Sequence, residues 1–311
     1  MFLKALSLSL LLAPAQAINY PVGITNCQFK QWFDKTPERV AVASSGAVEI
    51  MLAMGLADRI VSSSWVKEVW APLDADFQKF THYPKYPSAQ QLIDSNPDFI
   101  YATFSSAFED PSDPSRVADG GRINYTEALG LTQPCEVLVP SNSYGDNKTY
   151  CRKEIHDAGI RTYVAESYCE LAQYRPEGLS VDTLYNEVWD IAIIFDAIDN
   201  ARTLVDGIEE HFERALAISQ APPTTSAQLA AAPMRVLWLD IFESKTTGQN
   251  FIGACCGGPQ IVLNKAGAVN VFADRGLEDR RIWDRIDWAD VIASDPDLIV
   301  LIELTTESAG K

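Results

Sequence analysis

The sequence predicts an α/β protein of two similar lobes, each built on a parallel sheet, joined by one long helix. Three observations carry this. A short helix–proline–strand unit occurs twice, strands and helices alternate around both copies, and a strong helical stretch lies between them. The repeat is Ser88-Ala-Gln-Gln-Leu-Ile-Asp-Ser-Asn-Pro-Asp-Phe-Ile100 against Asp287-Trp-Ala-Asp-Val-Ile-Ala-Ser-Asp-Pro-Asp-Leu-Ile299.

The chain of 311 residues opens with a leader signature over 1–17. Lys4 supplies the charged start, Ala5–Pro14 an apolar core too short to span a bilayer, and Ala15-Gln16-Ala17 a small-residue cleavage boundary. An apolar first strand is the competing reading of the same residues. The N-terminal α/β lobe is expected over 18–199. Arg39–Ala43 reads as a strand, Ser44-Ser45-Gly46 as a turn, and Ala47–Met54 as a helix stopped by Gly55; Ile60-Val61 opens the next strand. In the repeat, Ser88 is a good N-cap, Leu92 and Ile93 form a buried helix face, and Pro97 ends the helix because a residue before proline is pushed out of the α region. Phe99-Ile100-Tyr101 then reads as a buried strand. Residues 109–150 are polar and aperiodic and read as an inserted surface loop.

Leu184, Val188, Ile191, Phe195 and Ile198 step by helical spacing, and after a restart at Asp199-Asn200 the stripe resumes at Leu204, Ile208, Phe212, Ala215 and Leu216. The second of these helices, at 200–220, is the predicted bridge, roughly 30 Å long at 1.5 Å per residue. The C-terminal lobe, 221–311, repeats the plan: a strand at Arg235–Leu239, a Gly-rich turn at Gly253–Gly258, a helix over 259–266 ending at Gly267, and the second copy of the repeat with a buried strand over Leu298–Ile302. Strand, helix and strand alternate in both halves, the Rossmann-like pattern that favours parallel sheets flanked by helices.

Composition bounds the function. With 25 basic and 42 acidic residues the net charge is −17, and loss of Lys4 makes it −18 (24 against 42). That excess repels nucleic acid, so no nucleic-acid partner is expected. Six cysteines, Cys27, Cys135, Cys151, Cys169, Cys255 and Cys256, lie beyond the leader; an even count in an exported chain suggests disulfides. Asn124-Tyr-Thr and Asn147-Lys-Thr are glycosylation sequons. Cys135–Cys151 and Cys27–Cys169 are the expected pairs, both within the first lobe. The adjacent Cys255 and Cys256 form a vicinal disulfide, hold a soft metal, or pair elsewhere.

Pro37-Glu-Arg-Val-Ala-Val-Ala-Ser-Ser-Gly-Ala-Val-Glu-Ile-Met-Leu-Ala-Met-Gly-Leu-Ala-Asp-Arg-Ile-Val61, the Asn96-Pro-Asp98 strand start and Trp283–Ile299, taken in order, resemble the helix-linked (class III) periplasmic binding proteins for ferric siderophores, haem and cobalamin. The resemblance spans about 35–305 and looks like a secreted, eukaryotic member. It implies a ligand cleft between the lobes, lined by loops at the carboxyl ends of strands, and aromatic side chains against planar ligands. It also implies a further strand and helix after the last repeat strand, so the second lobe is expected to be truncated. In bacterial members each repeat helix carries a glutamate that docks on a membrane permease. Gln90 and Ala289 stand at those positions, which puts a conventional ABC permease partner in doubt, with Asp94, Asp287 or Asp290 as the possible stand-ins.

Ligand-binding candidates follow from strand ends: Ser44, Ser45 and Gly46, whose N–H groups at a helix start suit an anion or carbonyl, although plain capping explains them equally well. Trp65, with Trp70 beside it, offers a stacking face. Phe104, Ser105, Ser106 and Phe108 follow the strand ending at Tyr101. In the second lobe the candidates are Asp240, Phe242, Glu243, Cys255 and Cys256. Gly253–Gly258 lacks a Walker Lys-Ser/Thr and is not a nucleotide loop. His82, His156 and His211 have no zinc-ligand spacing; His82 is a weak haem candidate and better read as a surface-loop histidine. No catalytic signature is present, so no enzyme, cofactor or resident metal is expected. Two readings stand: a monomeric solute-binding protein, extracellular (periplasmic if bacterial), holding an iron-siderophore, haem or cobalamin-like ligand; or a secreted or cell-surface interaction protein that kept the fold without transport.

Overall fold

A computed structural model describes residues 17–110, 122–133, 135–139, 148–178, 180–219, 232–241, 248–278 and 280–302. In chain order the first lobe contains β1 (Val22–Asn26), β2 (Phe29–Phe33), β3 (Val40–Ala43), α1 (Ser45–Ala53), β4 (Ile60–Ser64), α2 (Asp74–Phe77), β5 (Thr81–Tyr83), α3 (Ala89–Ser95) and β6 (Phe99–Ala102). It continues with α4 (Tyr125–Ala128), β7 (Val137–Val139), β8 (Lys148–Tyr150), α5 (Arg152–Asp157), β9 (Arg161–Val164) and α6 (Val181–Phe195). The bridge α7 (Ile198–Ser219) leads to β10 (Arg235–Ile241), β11 (Asn250–Gly253), α8 (Gly258–Lys265), β12 (Val269–Asn270), β13 (Trp283–Ile286), α9 (Trp288–Ser294) and β14 (Leu298–Leu301).

The first sheet runs β5-β4-β3-β6-β9 with every pair parallel. Its strands read as continuous apolar runs because both faces are covered. Val40, Val42, Phe99, Tyr101 and Tyr163 face one core with α1 and α6, whereas Ala41, Ala43, Ile100, Ala102 and Val164 face the other. Each fully buried Val or Phe contributes about 1.5–3 kcal/mol. The chain leaves β3 first toward β4 and later toward β6, which makes the gap between β3 and β6 the topological switch point.

The repeat is reproduced in detail. Arg39 N–H donates to Asp98 at 2.9 Å and Asp98 N–H returns to the Arg39 carbonyl at 2.9 Å; Arg235 and Asp297 exchange the same two bonds at 2.8 Å each. Arg39 also reaches the Ser95 carbonyl, and Arg235 the Ser294 carbonyl. Both repeat helices stop at a left-handed residue, Asn96 (φ 43) and Asp295 (φ 44), one position before the proline. Ser88 makes a full capping box with Gln91. Asp287 does not cap its helix; its carboxylate accepts instead from Gln249 at 3.2 Å.

Three features differ from the sequence expectation. The second sheet is mixed: β12 and β14 run parallel to β10, but β11 lies antiparallel between β10 and β13. The strand at 298–301 is exposed rather than buried, with Leu298 at 46% and Leu301 at 63%, because among the described residues β10 is its sole strand partner. The stretch 109–150 is also more than a surface loop. Ile123 and Tyr125 enter the core, Tyr125 donating its hydroxyl to the Ala107 carbonyl at 2.9 Å, and buried Glu109 receives Arg122 and Lys148 at 3.0 Å each.

A hairpin, β1–β2, closes the β9 edge without pairing as a strand. Asn26 spans Val164 with both amide atoms, at 2.9 Å to its carbonyl and 2.9 Å from its N–H. Gln31 does the same at Thr162, at 2.6 and 2.9 Å. An open edge invites further strands, and these amides occupy it. Beneath the hairpin, fully buried Arg152 bonds Asn26 at 2.8 Å and Thr162 at 2.9 Å, pairs with buried Glu170 at 3.4 Å, and lies over Phe29 and Phe108. The Cys27–Cys169 disulfide ties the same hairpin to the segment after β9, and Cys135–Cys151 closes the inserted stretch.

The bridge starts at Ile198, after Asp196 ends α6 in the left-handed region (φ 52). Ala201 and Val205 are buried, and Leu204, Ile208 and Phe212 pack on the first-lobe core, whereas residues 213–217 are exposed. The lobes meet where Ile261 and Lys265 of α8 approach that core and Phe212. They meet again where Arg280 donates to the Ala172 and Arg175 carbonyls and to Glu177.

Candidate functional site

The carboxyl ends of the first sheet gather a rim of aromatic and hydroxyl side chains. Two adjacent strands, β3 and β4, each end in a non-glycine residue with positive φ: Ser44 at 76° and Trp65 at 58°. Such residues are strained, at a cost of about 1–3 kcal/mol each, and persist where surrounding contacts impose them. Here the contacts are the bonds from Ser44 N–H to the Ser64 carbonyl at 2.8 Å and from Trp65 N–H to the Tyr83 carbonyl at 3.2 Å. Ser44 is buried, while Trp65 remains 50% exposed and tilts against the Tyr86 ring, 5.7 Å away.

Across the switch point, Tyr86 and Ser106 share a hydrogen bond of 2.9 Å. Phe104 meets Tyr168 edge-on at 4.6 Å, and Ser105 bonds the Tyr150 hydroxyl. Ser45 and Gly46 are exposed at the start of α1, but the next N–H, of Ala47, is taken by Thr103 Oγ1 at 2.9 Å. The same hydroxyl lies 3.0 Å from where a Gly46 side chain would begin, which is why glycine stands there. The structure therefore brings Ser44, Ser45, Gly46, Trp65, Phe104, Ser105 and Ser106 to one edge. It adds Tyr86, Thr103 and Tyr168, which the sequence reading passed over. Phe108 is not on this rim; it is fully buried under Arg152. Trp70 is 64% exposed, and its backbone N–H donates to the Glu49 carboxylate at 2.7 Å. Burial raises the Glu166 carboxyl beside Tyr168.

In the second lobe Asp240 is the penultimate residue of β10, and burial pushes its carboxyl up to about 6. Phe242 and Glu243 lie outside the described residues. Cys255 and Cys256 are joined to each other, which removes the thiolates a soft metal would need. Their loop packs tightly: a side chain at Gly257 would meet Ile282 at 2.0 Å, and one at Gly253 would meet Pro259 at 2.7 Å.

Other candidates resolve as follows. His82 is on strand β5, not a surface loop; it bonds Ser63 at 2.9 Å and packs on Phe77 at 4.0 Å. His156 is pushed down to about 3 by burial and by Arg152, and His211 lies exposed on α7 against Arg214. Asn124 caps α4 through Glu127 N–H at 3.1 Å, whereas Asn147 and residues 1–16 lie outside the described residues. Under the sheet, a buried acid group that the sequence did not signal joins α6 to two strands. Tyr101 donates to Glu187 at 2.6 Å and Tyr163 to Asp190 at 2.9 Å. Burial raises these carboxyls to about 7 and about 6.

No family model matches the chain, and no curated protein matches it. Solved structures do. A periplasmic binding protein from Veillonella parvula shares 20% identity over 92% of this chain and 77% of its own, with TM-score 0.60. An ABC-type Fe3+-hydroxamate transport system protein from Saccharomonospora viridis shares 18% over 92% and 81%, with TM-score 0.62. The heme binding protein HmuT shares 15% over 96% and 77%, with TM-score 0.56. These neighbours are binding and transport proteins, not enzymes.

Proposed function

The chain has the fold of the helix-linked periplasmic binding proteins, and we propose that it is a secreted solute-binding protein that holds an iron chelate or planar tetrapyrrole between its lobes. The observation that carries this is the pair of strained residues at the carboxyl ends of neighbouring strands, Ser44 and Trp65, beside the switch point. Strain of this kind gathers at ligand sites, and here it aims a half-exposed indole into the rim formed with Tyr86, Phe104 and Tyr168. Aromatic faces suit a flat, weakly charged guest, and the hydroxyls of Ser105 and Ser106 with the Ser45 and Gly46 N–H groups suit its oxygens. From the second lobe we assign Asp240 and the Gly253–Gly258 loop to the ligand site on the same ground, that they stand at or after strand ends.

The export route is read from the leader signature, the disulfides and the two sequons. A membrane permease of the usual kind is not the partner we favour, because Gln90 is exposed and bound to Asp94 at 2.7 Å, and Ala289 offers no charge to steer docking. The test is thermal stability and tryptophan fluorescence with ferric hydroxamate, ferric catecholate, haem and cobalamin in turn. A true ligand at one hundred times its dissociation constant adds about 2.7 kcal/mol, and Trp65→Ala removes the effect. Indifference to all four compounds overturns the reading and favours the interaction protein.

A further inference from the structure

Two observations made independently meet at one peptide bond. The sequence places a leader boundary after Ala15-Gln16-Ala17. In the structure the next backbone N–H, that of Ile18, donates to Asp196 Oδ1 at 2.8 Å. Asp196 is no ordinary surface acid. It is the left-handed cap that ends α6 (φ 52, ψ 44), and α7 begins two residues later. Tyr20 follows the same track, giving its hydroxyl to the Ile194 carbonyl at 2.7 Å, so the chain from Ile18 to Tyr20 lies along the last turn of α6.

We propose that the leader is removed between Ala17 and Ile18 and that the freed α-ammonium of Ile18 forms an ion pair with Asp196 at the joint between α6 and the bridging helix. Cleavage is a hydrolysis by a secretory peptidase: water adds across the Ala17–Ile18 bond, the carboxylate stays with Ala17, and the nitrogen leaves with Ile18 as an ammonium. One neutral donor becomes a full charge with three. The position suits a cation twice over. The carboxylate of Asp196 is already within bonding distance, and the carboxyl end of α6 carries the negative end of the helix dipole, which an acid there opposes and an ammonium offsets. Asp196 and Arg59 are the charged groups that act on neighbouring Tyr20, and among the described residues Arg59 makes no ion pair with Asp196. Leader removal then changes the joint as well as freeing the chain.

The inference rests on the export reading, and the experiment separates the two. The full chain is expressed with its own leader in a secreting eukaryotic host, and the secreted protein is sequenced from its N-terminus; the expected first residue is Ile18. The α-amine is then labelled at pH 7.5 in this protein and in Asp196→Asn. An exposed pair holds the amine protonated enough to slow labelling about two- to fivefold, and Asp196→Asn restores the ordinary rate. A first residue other than Ile18, or equal rates in the two proteins, overturns the proposal. Protein cut from an N-terminal fusion to begin at Ile18 gives the labelling comparison without export. Failure to leave the cell therefore sinks the export reading and the cleavage, while the rates still judge the pair.

Discussion

Glu187→Gln is expected to stabilise the protein above neutral pH and to change little in acid. Glu187 is buried on α6 and accepts the Tyr101 hydroxyl at 2.6 Å; burial lifts its carboxyl from 4.5 to about 7. The folded state therefore holds this proton more tightly than the unfolded chain. Below pH 4.5 both states are protonated and the residue costs nothing. Between 4.5 and 7 the unfolded chain ionises first, so stability falls as pH rises; above 7 the folded carboxylate bears the full penalty, about 3 kcal/mol at 1.36 kcal/mol per pKa unit. Glutamine mimics the protonated acid and still accepts from Tyr101. At pH 8 the variant should melt about 6 °C or more above the parent, taking about 2 °C or more per kcal/mol for a lobe of this size, and at pH 4 the two should coincide. The difference between the proteins is the readout because His156, pushed down to about 3, acts oppositely, costing stability as pH falls below 6.5. A variant no more stable at pH 8, or equally stabilised at both pH values, refutes the burial argument.

Three further outcomes are expected. Arg152→Met strands the fully buried Glu170 carboxylate and should cost about 3–5 kcal/mol in denaturant unfolding. Asn26→Ala and Gln31→Ala each leave one N–H and one carbonyl of β9 unpaired, about 1–3 kcal/mol apiece, read as faster amide exchange at Val164 and Thr162 respectively. Arg280→Ala removes the ties to Ala172, Arg175 and Glu177, and solution scattering should then show a wider distribution of inter-lobe distances; an unchanged profile would mean that the helix contacts alone hold the lobes.

Much of the architecture was legible because it is written in repeats and periods. The Asn96-Pro97-Asp98 and Asp295-Pro296-Asp297 units mark both helix stops, and the runs at 40–43 and 99–102 are apolar throughout because each alternates between two cores. The hairpin at 22–33 was not legible, since its inward positions include Asn26 and Gln31; amides that substitute for a strand partner erase the apolar alternation a strand normally shows. The antiparallel course of β11 was hidden for another reason: a strand of four residues, Asn250–Gly253, carries no mark of direction. On the candidate rim, Ser44, Trp65 and Phe104 were legible as residues that follow strands. Tyr86 and Tyr168 follow the outer strands β5 and β9 and needed the strand order before they came into view. The buried acids of α6 occupy apolar-face positions of a helix whose stripe reads as pure core, so only the facing tyrosines reveal them.

Among the described residues the lobes meet at two places, and these restrict how the molecule can breathe. A rigid body held at a single point can swivel in every sense; held at two, it keeps one freedom, rotation about the line through both. The first anchor is Phe212 with Ile261 and Lys265, the second Arg280 on the 172–177 segment. Opening and closing should thus be a rocking about that axle, with the exposed end of α7 as the compliant element. A guest held off the axle feels the full swing, and one lying along it feels almost none.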